Sequence, residues 1–204
     1  MLKHEVFQEI VGARRAVRKF DDSTVSAEAM ARMLQAARFA PSSSNLQCWE
    51  VYWARDKERR SAFDDACLGQ AAAATAAELV FFVSRPDLWQ RNVKKLAAEF
   101  AGTPGAGYYA DALPAAMAAY SEVDLSEWAT KSCALAASQF MLAVSSEGLD
   151  SCPMEGLNPD KVRNLLSLPT EAGITMAVGL GKGVPEGLYG DRFRFPSDTQ
   201  IFEV

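Results

Sequence analysis

The sequence predicts an α+β fold in which helices pack on a small sheet. Segments with apolar residues at helical spacing interleave with short apolar runs of strand length, and irregular loops connect them. The chain has 204 residues, which is long enough to bury a sizeable core. It contains no internal repeat and no linker, so residues 1–204 are expected to form a single domain.

The spacing of apolar residues predicts helices along most of the chain. They are expected over residues 3–13, 27–39, 57–76, 87–101 and 124–147, with a short one after Asn158 and Pro159. Ser26 is the expected N-cap of the second helix, and Asp124 with Glu127 resembles a capping box for the long one. The third helix is Ala-rich and is interrupted by Gly69. The long helix is apolar on most sides, which predicts a central helix or one covered by a second subunit.

Short apolar runs predict strands over residues 49–54, 79–84 and 174–180. The run LVFFVS at 79–84 is continuous, as in a strand that is buried on both faces. The last residues, 191–204, alternate apolar and polar side chains around Pro196. They predict an extended arm, and an arm this apolar needs a surface to lie on, either its own core or another chain.

The charge balance limits the kind of partner. The formal net charge is -5, which argues against a general nucleic-acid binder, since such a protein needs a basic face to release phosphate counterions. Residues 14–19 form the one dense basic cluster, so an anionic partner is expected to be small. The first residues lack the apolar core of a signal peptide, and no apolar run is long enough to span a bilayer. A cytoplasmic protein without a membrane partner is therefore expected.

The reactive residue types exclude some chemistries. The one histidine, His4, lies near the N-terminus, which argues against a Ser–His or Cys–His hydrolase. The four cysteines form no C-x-x-C pair, so reduced thiols are expected rather than disulfides or a metal site.

Cations are concentrated in two places. The stretch RRAVRKF, residues 14–20, places four cations in seven positions, either to bind an anion or as a solvated turn. Arg192 and Arg194 lie two apart in the expected arm, where alternate side chains point the same way. Both could reach one anion, or both could be solvated.

Polar loops offer further candidates. In APSSSNLQCWEV, residues 40–51, Ser and Asn either satisfy their own backbone or form a cradle for the edge of a heterocycle. CPMEG, residues 152–156, is either a strand that ends in a turn or a rigid step that presents two backbone N–H groups to a ligand. The glycines of VGLGKGVPEG, residues 178–187, are followed by the helix-breaking Pro185. A flexible loop is therefore favoured over a dinucleotide-binding fingerprint.

Together these motifs resemble the FMN-dependent nitroreductase family, and most closely its oxygen-insensitive NAD(P)H nitroreductases. R-R-x-V-R-K-F, A-P-S-S-x-N-x-Q-x-W, P-M-E-G and paired cations before the C-terminus follow one another in the same order over nearly the whole chain. The resemblance implies helices around a central, mainly antiparallel sheet. It also implies an intertwined homodimer whose C-terminal arm, residues 191–204, wraps the partner subunit, with FMN bound in the interface.

The resemblance also implies roles for individual residues. The implied cofactor contacts are Arg14, Arg15, Ala16, Arg18, Pro41, Ser42, Ser43, Asn45, Gln70, Ser132, Pro153, Met154, Glu155, Gly156, Arg192 and Arg194. Arg14, Arg192 and Arg194 are expected to hold the FMN phosphate, aided by Arg15. Arg18 is expected near flavin N1 and C2=O, where the reduced ring carries negative charge.

Other residues are expected around the ring and the ribityl chain. Ser42, Ser43 and Asn45 would contact the flavin from across the interface, and Gln70 and Ser132 would make polar contacts to the ribityl chain and ring edge. Glu155 and Gly156 would donate backbone N–H groups to flavin N5 and O4. No catalytic side chain and no metal are implied, because the flavin carries out the chemistry with Arg18, Glu155 and Gly156 in support.

The implied reaction is a hydride transfer from NAD(P)H through flavin N5 to a small aromatic electrophile, a nitroaromatic or a quinone. The alternatives are another acceptor in the same fold (an enone, a free flavin or a halogenated phenol), a flavin-binding protein without turnover, or a small-anion or nucleic-acid binder that uses residues 14–19. Acceptor choice is expected to depend on residues 85–125. There the aromatic residues Trp89, Phe100, Tyr108, Tyr109 and Tyr120 either line a pocket or pack.

Three positions depart from the family pattern. Ala16 stands where the family often has a Ser that bonds the phosphate, and Cys48 replaces the usual Pro of Q-P-W. Ala73 lies near the place where close relatives carry a second cation beside the flavin. Cys48 is either a redox thiol near the flavin loop or, as its small apolar side chain favours, a packed core residue.

Overall fold

The computed structural model describes residues 2–203 and, within them, a four-stranded antiparallel sheet in the order β1-β2-β4-β3. The strands are β1 (Trp49–Ala54), β2 (Glu78–Ser84), β3 (Asp150–Met154) and β4 (Gly173–Gly181). The α-helices are α1 (Lys3–Ala13), α2 (Ala27–Arg38), α3 (Lys57–Ser61), α4 (Ala71–Ala74), α5 (Trp89–Glu99), α6 (Leu113–Ala118), α7 (Glu122–Ser146) and α8 (Pro159–Leu166). The predicted α+β fold, with helices around a central antiparallel sheet, is confirmed.

The central strand β2 is buried along its whole length, as its continuous apolar run predicts. Its side chains alternate between two cores. Phe81 packs beneath the sheet against Phe63, with ring centres 4.5 Å apart. Phe82 faces the opposite way and packs against Phe140 of α7, at 5.4 Å. Helices α2 and α7 therefore cover one face, and residues 63–76 with α8 cover the other.

The long helix α7 begins earlier than predicted. Its N-cap is Ser121, whose hydroxyl accepts from the Asp124 backbone N–H, while the Asp124 carboxylate accepts from the Ser121 N–H. The predicted Asp124–Glu127 capping pair is wrong. Asp124 lies at the third position of the helix, and its carboxylate bonds back to the N-cap residue, Ser121. Helix α7 buries one side in the core, but Leu135 remains 49% exposed in the single chain.

The expected helix over residues 57–76 is also wrong. Only α3 and α4 are helical there, and turns join them. Leu68 and Gly69 both have left-handed backbone angles, with φ of 56° and 65°, and reverse the chain. The reversal brings Phe63, Ala66 and Cys67 into the core beneath the sheet. Helix propensity does not include the free energy gained from such long-range packing.

Two segments expose apolar side chains in the single chain. Helix α1 buries no residue, and Phe7 and Val11 lie in the open. The end of the chain is extended apart from the short helical turn Ser197–Thr199, and it exposes Phe193, Phe195, Ile201 and Phe202. It is thus an arm that does not lie on its own core. Over residues 2–203 no helix is both long and apolar enough to cross a bilayer.

Candidate functional site

The N-terminal cationic motif lies along the edge of the sheet. Ala16 pairs with Ser151 of β3 in a parallel bridge, and the Val17 N–H donates to the Ser151 carbonyl at 3.1 Å. The Arg18 N–H donates to the Gly187 carbonyl at 2.9 Å, which fastens the other edge of the segment. Since β3 ends in the P-M-E-G turn, the fold places the two motifs side by side, although they are far apart in sequence.

Three arginines converge at the start of this segment. The Arg192 Nη2 donates to the Arg14 carbonyl at 2.6 Å. Partial burial, and then the positive charges of Arg192 and Arg194, lower the pKa of Arg14. Within residues 2–203, none of the three pairs with a carboxylate. Like charges brought together in this way fit a phosphate, which would neutralise their repulsion.

The other two arginines of the motif make contacts within the chain. The Arg15 guanidinium donates to the Gly190 carbonyl and so holds the start of the arm. The Arg18 guanidinium lies 4.3 Å from the centre of the Tyr189 ring, in a cation–π contact. Tyr189 was not among the residues identified from the sequence. Its position three residues before Arg192 is the one signal that could have suggested a role for it.

The P-M-E-G turn lies at the end of β3 and exposes its last two residues. Pro153 and Met154 belong to β3, while Glu155 and Gly156 follow it and are exposed. The Gln70 side chain donates to the Gly156 carbonyl at 2.6 Å, so this residue is brought to the turn. Among the hydrogen bonds of the described chain, none uses the backbone N–H of Glu155 or Gly156 as donor. Both are therefore available to a ligand.

The polar loop around residues 42–47 is held in an unusual conformation. Ser44, Asn45 and Gln47 have left-handed backbone angles, with φ of 51°, 55° and 47°. The Ser43 N–H donates to the Ser132 hydroxyl at 3.3 Å, which brings these two expected cofactor contacts together. The loop follows Pro41, and Ser132 lies buried on α7.

The expected site residues thus form two groups. One contains the arginines of both termini, Gln70 and the P-M-E-G turn, and the other contains the polar loop and Ser132. Hydrogen bonds over residues 2–203 link members within each group, and none joins one group to the other. Hydrogen bonds within the described chain therefore do not join the expected site residues into one site, and the expectation that the loop serves a site of the partner subunit stays a prediction.

The departures from the family pattern have structural consequences. Ala73 is buried in the core beneath the sheet, so its side chain does not reach a ligand. Cys48 is fully buried, and this burial raises the pKa of its thiol to about 12. The structure therefore favours the packed core residue over the redox thiol.

Gly179 and Gly181 lie within β4, which is followed by a short turn of helix and not by the α-helix of a dinucleotide fingerprint.

The segment of residues 85–125 folds into its own small aromatic unit. Phe100 stacks on Tyr109 at 5.0 Å, and Trp89 and Tyr109 line a pocket of about 280 Å³. Tyr108 and Tyr120 are exposed. The Tyr108 hydroxyl lies 2.6 Å from the Ser44 hydroxyl, a contact between this unit and the polar loop that the sequence did not indicate.

Comparison with known proteins decides the family. The model of the nitroreductase family matches residues 11–182. The chain belongs to the nitroreductase family. This places it among oxidoreductases. A Thermus thermophilus nitroreductase relative named NADH dehydrogenase is 31% identical over 176 residues, covering 85% of each chain. Protein DrgA of Synechocystis is 30% identical and covers 83% of this chain and 80% of its own.

Solved structures show the nitroreductase fold. Bacillus subtilis YdfN superposes with a TM-score of 0.91 at 19% identity, covering 98% of this chain and all of its own, 100%. A protein of Exiguobacterium sibiricum, solved in complex with FMN, gives 0.81 at 23% identity, covering 97% of each chain. The enone reductase CLA-ER gives 0.83 at 20% identity, also covering 97% of each chain.

Proposed function

We propose that this nitroreductase-family protein binds FMN and uses NAD(P)H to reduce small aromatic electrophiles, nitroaromatics or quinones. The observation that carries the proposal is the convergence of Arg14, Arg192 and Arg194 at the start of a segment that pairs with β3. Strand β3 leads into a turn where, within residues 2–203, two backbone N–H groups donate no hydrogen bond. The FMN in the Exiguobacterium sibiricum structure and the name of the Thermus thermophilus relative support the cofactor and the electron donor.

The three converging arginines would hold the phosphate of FMN. A guanidinium offers paired N–H donors that match phosphate oxygens, and a dianion would relieve the like-charge repulsion that lowers the pKa of Arg14. Arg15 would act less directly, since its guanidinium already holds the Gly190 carbonyl. Its part is to fix the start of the arm and so the position of Arg192.

The ring end of the site would use backbone dipoles and one cation. When bound, FMN supplies hydride transfer at N5 between NAD(P)H and the acceptor. The N–H groups of Glu155 and Gly156 would face N5 and O4, where fixed dipoles stabilise developing charge in a dry pocket. Arg18 would lie near N1 and C2=O and favour the reduced ring, and Gln70 would contact the ribityl chain.

The second half-site would come from a partner subunit. Within residues 2–203, Ser42, Ser43, Asn45 and Ser132 make no hydrogen bond to the arginines of the proposed phosphate site, and the arginines of a second copy would supply that site. The exposed apolar surface favours this homodimer. Phe7, Ile10, Leu135 and Leu142 line an open groove of about 590 Å³, and the extended arm exposes more apolar area. The arm would lie on the partner.

The cysteines favour a reducing compartment such as the cytoplasm. All four are unpaired thiols and all four are buried. Persistent free thiols are typical of proteins kept reduced by cellular thiol buffers.

Steady-state turnover with a panel of acceptors tests the proposed reaction. NADH or NADPH would be supplied with a nitroaromatic, a quinone, an enone, a free flavin and a halogenated phenol in parallel. We expect the highest kcat/KM with the nitroaromatic or the quinone. A clear preference for the enone would assign the chain the activity named for CLA-ER, and turnover with none of the five would favour a flavin-binding protein without turnover.

A further inference from the structure

A hydrogen bond between two side chains ties the aromatic unit of residues 85–125 to the polar loop. The Tyr108 and Ser44 hydroxyls lie 2.6 Å apart, although 64 residues separate them in sequence. Either hydroxyl can donate. Tyr108 keeps 47% of its surface accessible and Ser44 is half-buried, so burial alone does not explain their pairing.

The polar loop needs such a contact because its backbone is strained. Each non-glycine residue in the left-handed region costs about 1 kcal/mol or more, and Ser44, Asn45 and Gln47 all adopt it. Two contacts hold the flanks of the loop. Ser132 accepts from the Ser43 N–H, and Asn92 donates to the Leu46 carbonyl at 2.9 Å. Within the described chain, the Tyr108 hydroxyl is the one group that bonds the Ser44 side chain, at the first residue of the strained stretch.

Tyr108 is directed at the loop by an irregular helix. Tyr108–Ala112 forms a π-helical turn, which changes the direction of successive side chains relative to an α-helix. Tyr109 consequently turns inward and stacks on Phe100, while its neighbour packs edge-on against it at 5.2 Å and reaches Ser44. Two adjacent tyrosines thus have different surroundings, one in the aromatic unit and one bridging to the loop.

We propose that Tyr108 is a positioning residue whose hydroxyl holds Ser44, and with it the polar loop, in the conformation that receives the flavin. The proposal rests on the proposed function, in which Ser42, Ser43 and Asn45 contact FMN. Without the hydroxyl the loop samples other conformations, and FMN binding must restore the strained one. The affinity for FMN falls accordingly, while the chemistry of the loaded enzyme is retained.

The matched pair Tyr108→Phe and Tyr109→Phe tests the proposal. Each removes one hydroxyl from adjacent rings, and over residues 2–203 the Tyr109 hydroxyl makes no hydrogen bond. Titration of FMN-depleted protein with FMN should show a dissociation constant raised about three- to tenfold in Tyr108→Phe, the effect of losing one neutral hydrogen bond. Tyr109→Phe should match the wild type.

A double-mutant cycle with Ser44→Ala separates positioning from a general structural effect. Ser44→Ala should weaken FMN binding like Tyr108→Phe, and the double variant should be no weaker than either, because both remove the same bond. Equal FMN affinities of the two Phe variants, or additive effects in the cycle, would overturn the role of Tyr108. A wild-type protein that binds no FMN would instead overturn the proposed function itself.

Discussion

At the scale of single residues, the charge on Arg14 is the most informative feature of the site. Its guanidinium is partly buried beside two further arginines, an arrangement that costs free energy in the folded chain unless an anion compensates it. Lys19, four positions after Arg15, is exposed and makes no ion pair within residues 2–203. The same short motif thus contains two kinds of cation. We propose that Arg14 binds a ligand, whereas Lys19 is solvated.

Arg14→Ala should raise the FMN dissociation constant about tenfold or more, the effect of removing a charge-assisted hydrogen bond to phosphate. Lys19→Ala removes the same charge from the same segment and should leave the constant near that of the wild type. Fluorescence titration of the FMN-depleted proteins measures both. Equal dissociation constants in the two variants would count against the assignment of Arg14 to the phosphate.

The thiol of Cys48 should be inert in the folded protein. Burial raises its pKa from an ordinary 9.0 to about 12, so near pH 8 almost no reactive thiolate exists. A chromogenic disulfide reagent should modify none of the four cysteines in the native protein and all four after unfolding. Modification of Cys48 at the rate of a free thiol would restore the redox reading that the structure disfavours.

The same shift gives a pH dependence of stability. The folded protein still holds the Cys48 proton at pH values where the unfolded thiol has lost it. The protonated thiol therefore contributes its full share of the free energy of unfolding below pH 9.0, and this share falls as the pH rises toward the folded-state pKa of about 12. The urea midpoint of the wild type should therefore decline more steeply over this window than that of Cys48→Ala. Parallel declines of the two proteins would show that the thiol does not titrate this way.

At the scale of elements, the close approach of α4 to β4 explains why a glycine lies in the strand. A Cβ atom on Gly179 would come within 2.3 Å of the Ala72 carbonyl oxygen, so the helix and sheet would have to separate. Gly179→Ala should destabilise the protein by about 1–3 kcal/mol in urea unfolding. Gly12→Ala is the control, since a Cβ there meets nothing within 4 Å and α1 favours Ala. If Gly179→Ala leaves the free energy of unfolding unchanged, α4 can shift away from β4 without cost.

Local sequence signals account for some elements and miss others for physical reasons. The strand at residues 79–84 and the helix capped by Ser26 follow from periodicity and capping chemistry, and both are observed. The alanines of 57–76 favour a helix, but the packing of Phe63 beneath the sheet and the reversal at Leu68 override that preference. Helical propensity contains no term for such long-range contacts.

Sequence signals likewise account for one part of the candidate site and miss another. The order of four motifs along the chain predicts the site residues through resemblance to a family, and their roles stay a prediction. Contacts such as Arg18 with Tyr189 and Ser44 with Tyr108 join distant segments, so no spacing in the sequence encodes them. They follow from the way Tyr189 and the aromatic unit pack against segments that are distant in sequence, which depends on the whole structure.

At the scale of the whole molecule, the extended arm combines two roles that substitutions can separate. Arg192 and Arg194 alternate with Phe193 and Phe195, whose rings pack edge-on at 5.1 Å. The double variant Arg192→Ala/Arg194→Ala should remain a dimer by light scattering but lose most FMN. Phe193→Ala/Phe195→Ala should weaken the dimer instead, since it removes apolar surface that is exposed in the single chain.

Removal of residues 191–204 combines both losses and should give a monomer without cofactor. The arm supplies two of the three arginines that we propose bind the phosphate, and much of the exposed apolar surface. A truncated protein that stays a flavin-loaded dimer would contradict both roles of the arm.

The central claim is that the folded chain holds FMN where NAD(P)H can reduce it. The absorbance spectrum of the FMN-loaded protein, recorded without oxygen before and after addition of NADH and then NADPH, tests this directly. We expect the yellow band of the oxidised flavin to disappear with at least one of the two donors and to return when a nitroaromatic or quinone is added. A chain that takes up no FMN, or a yellow protein whose spectrum neither donor changes, would contradict the claim.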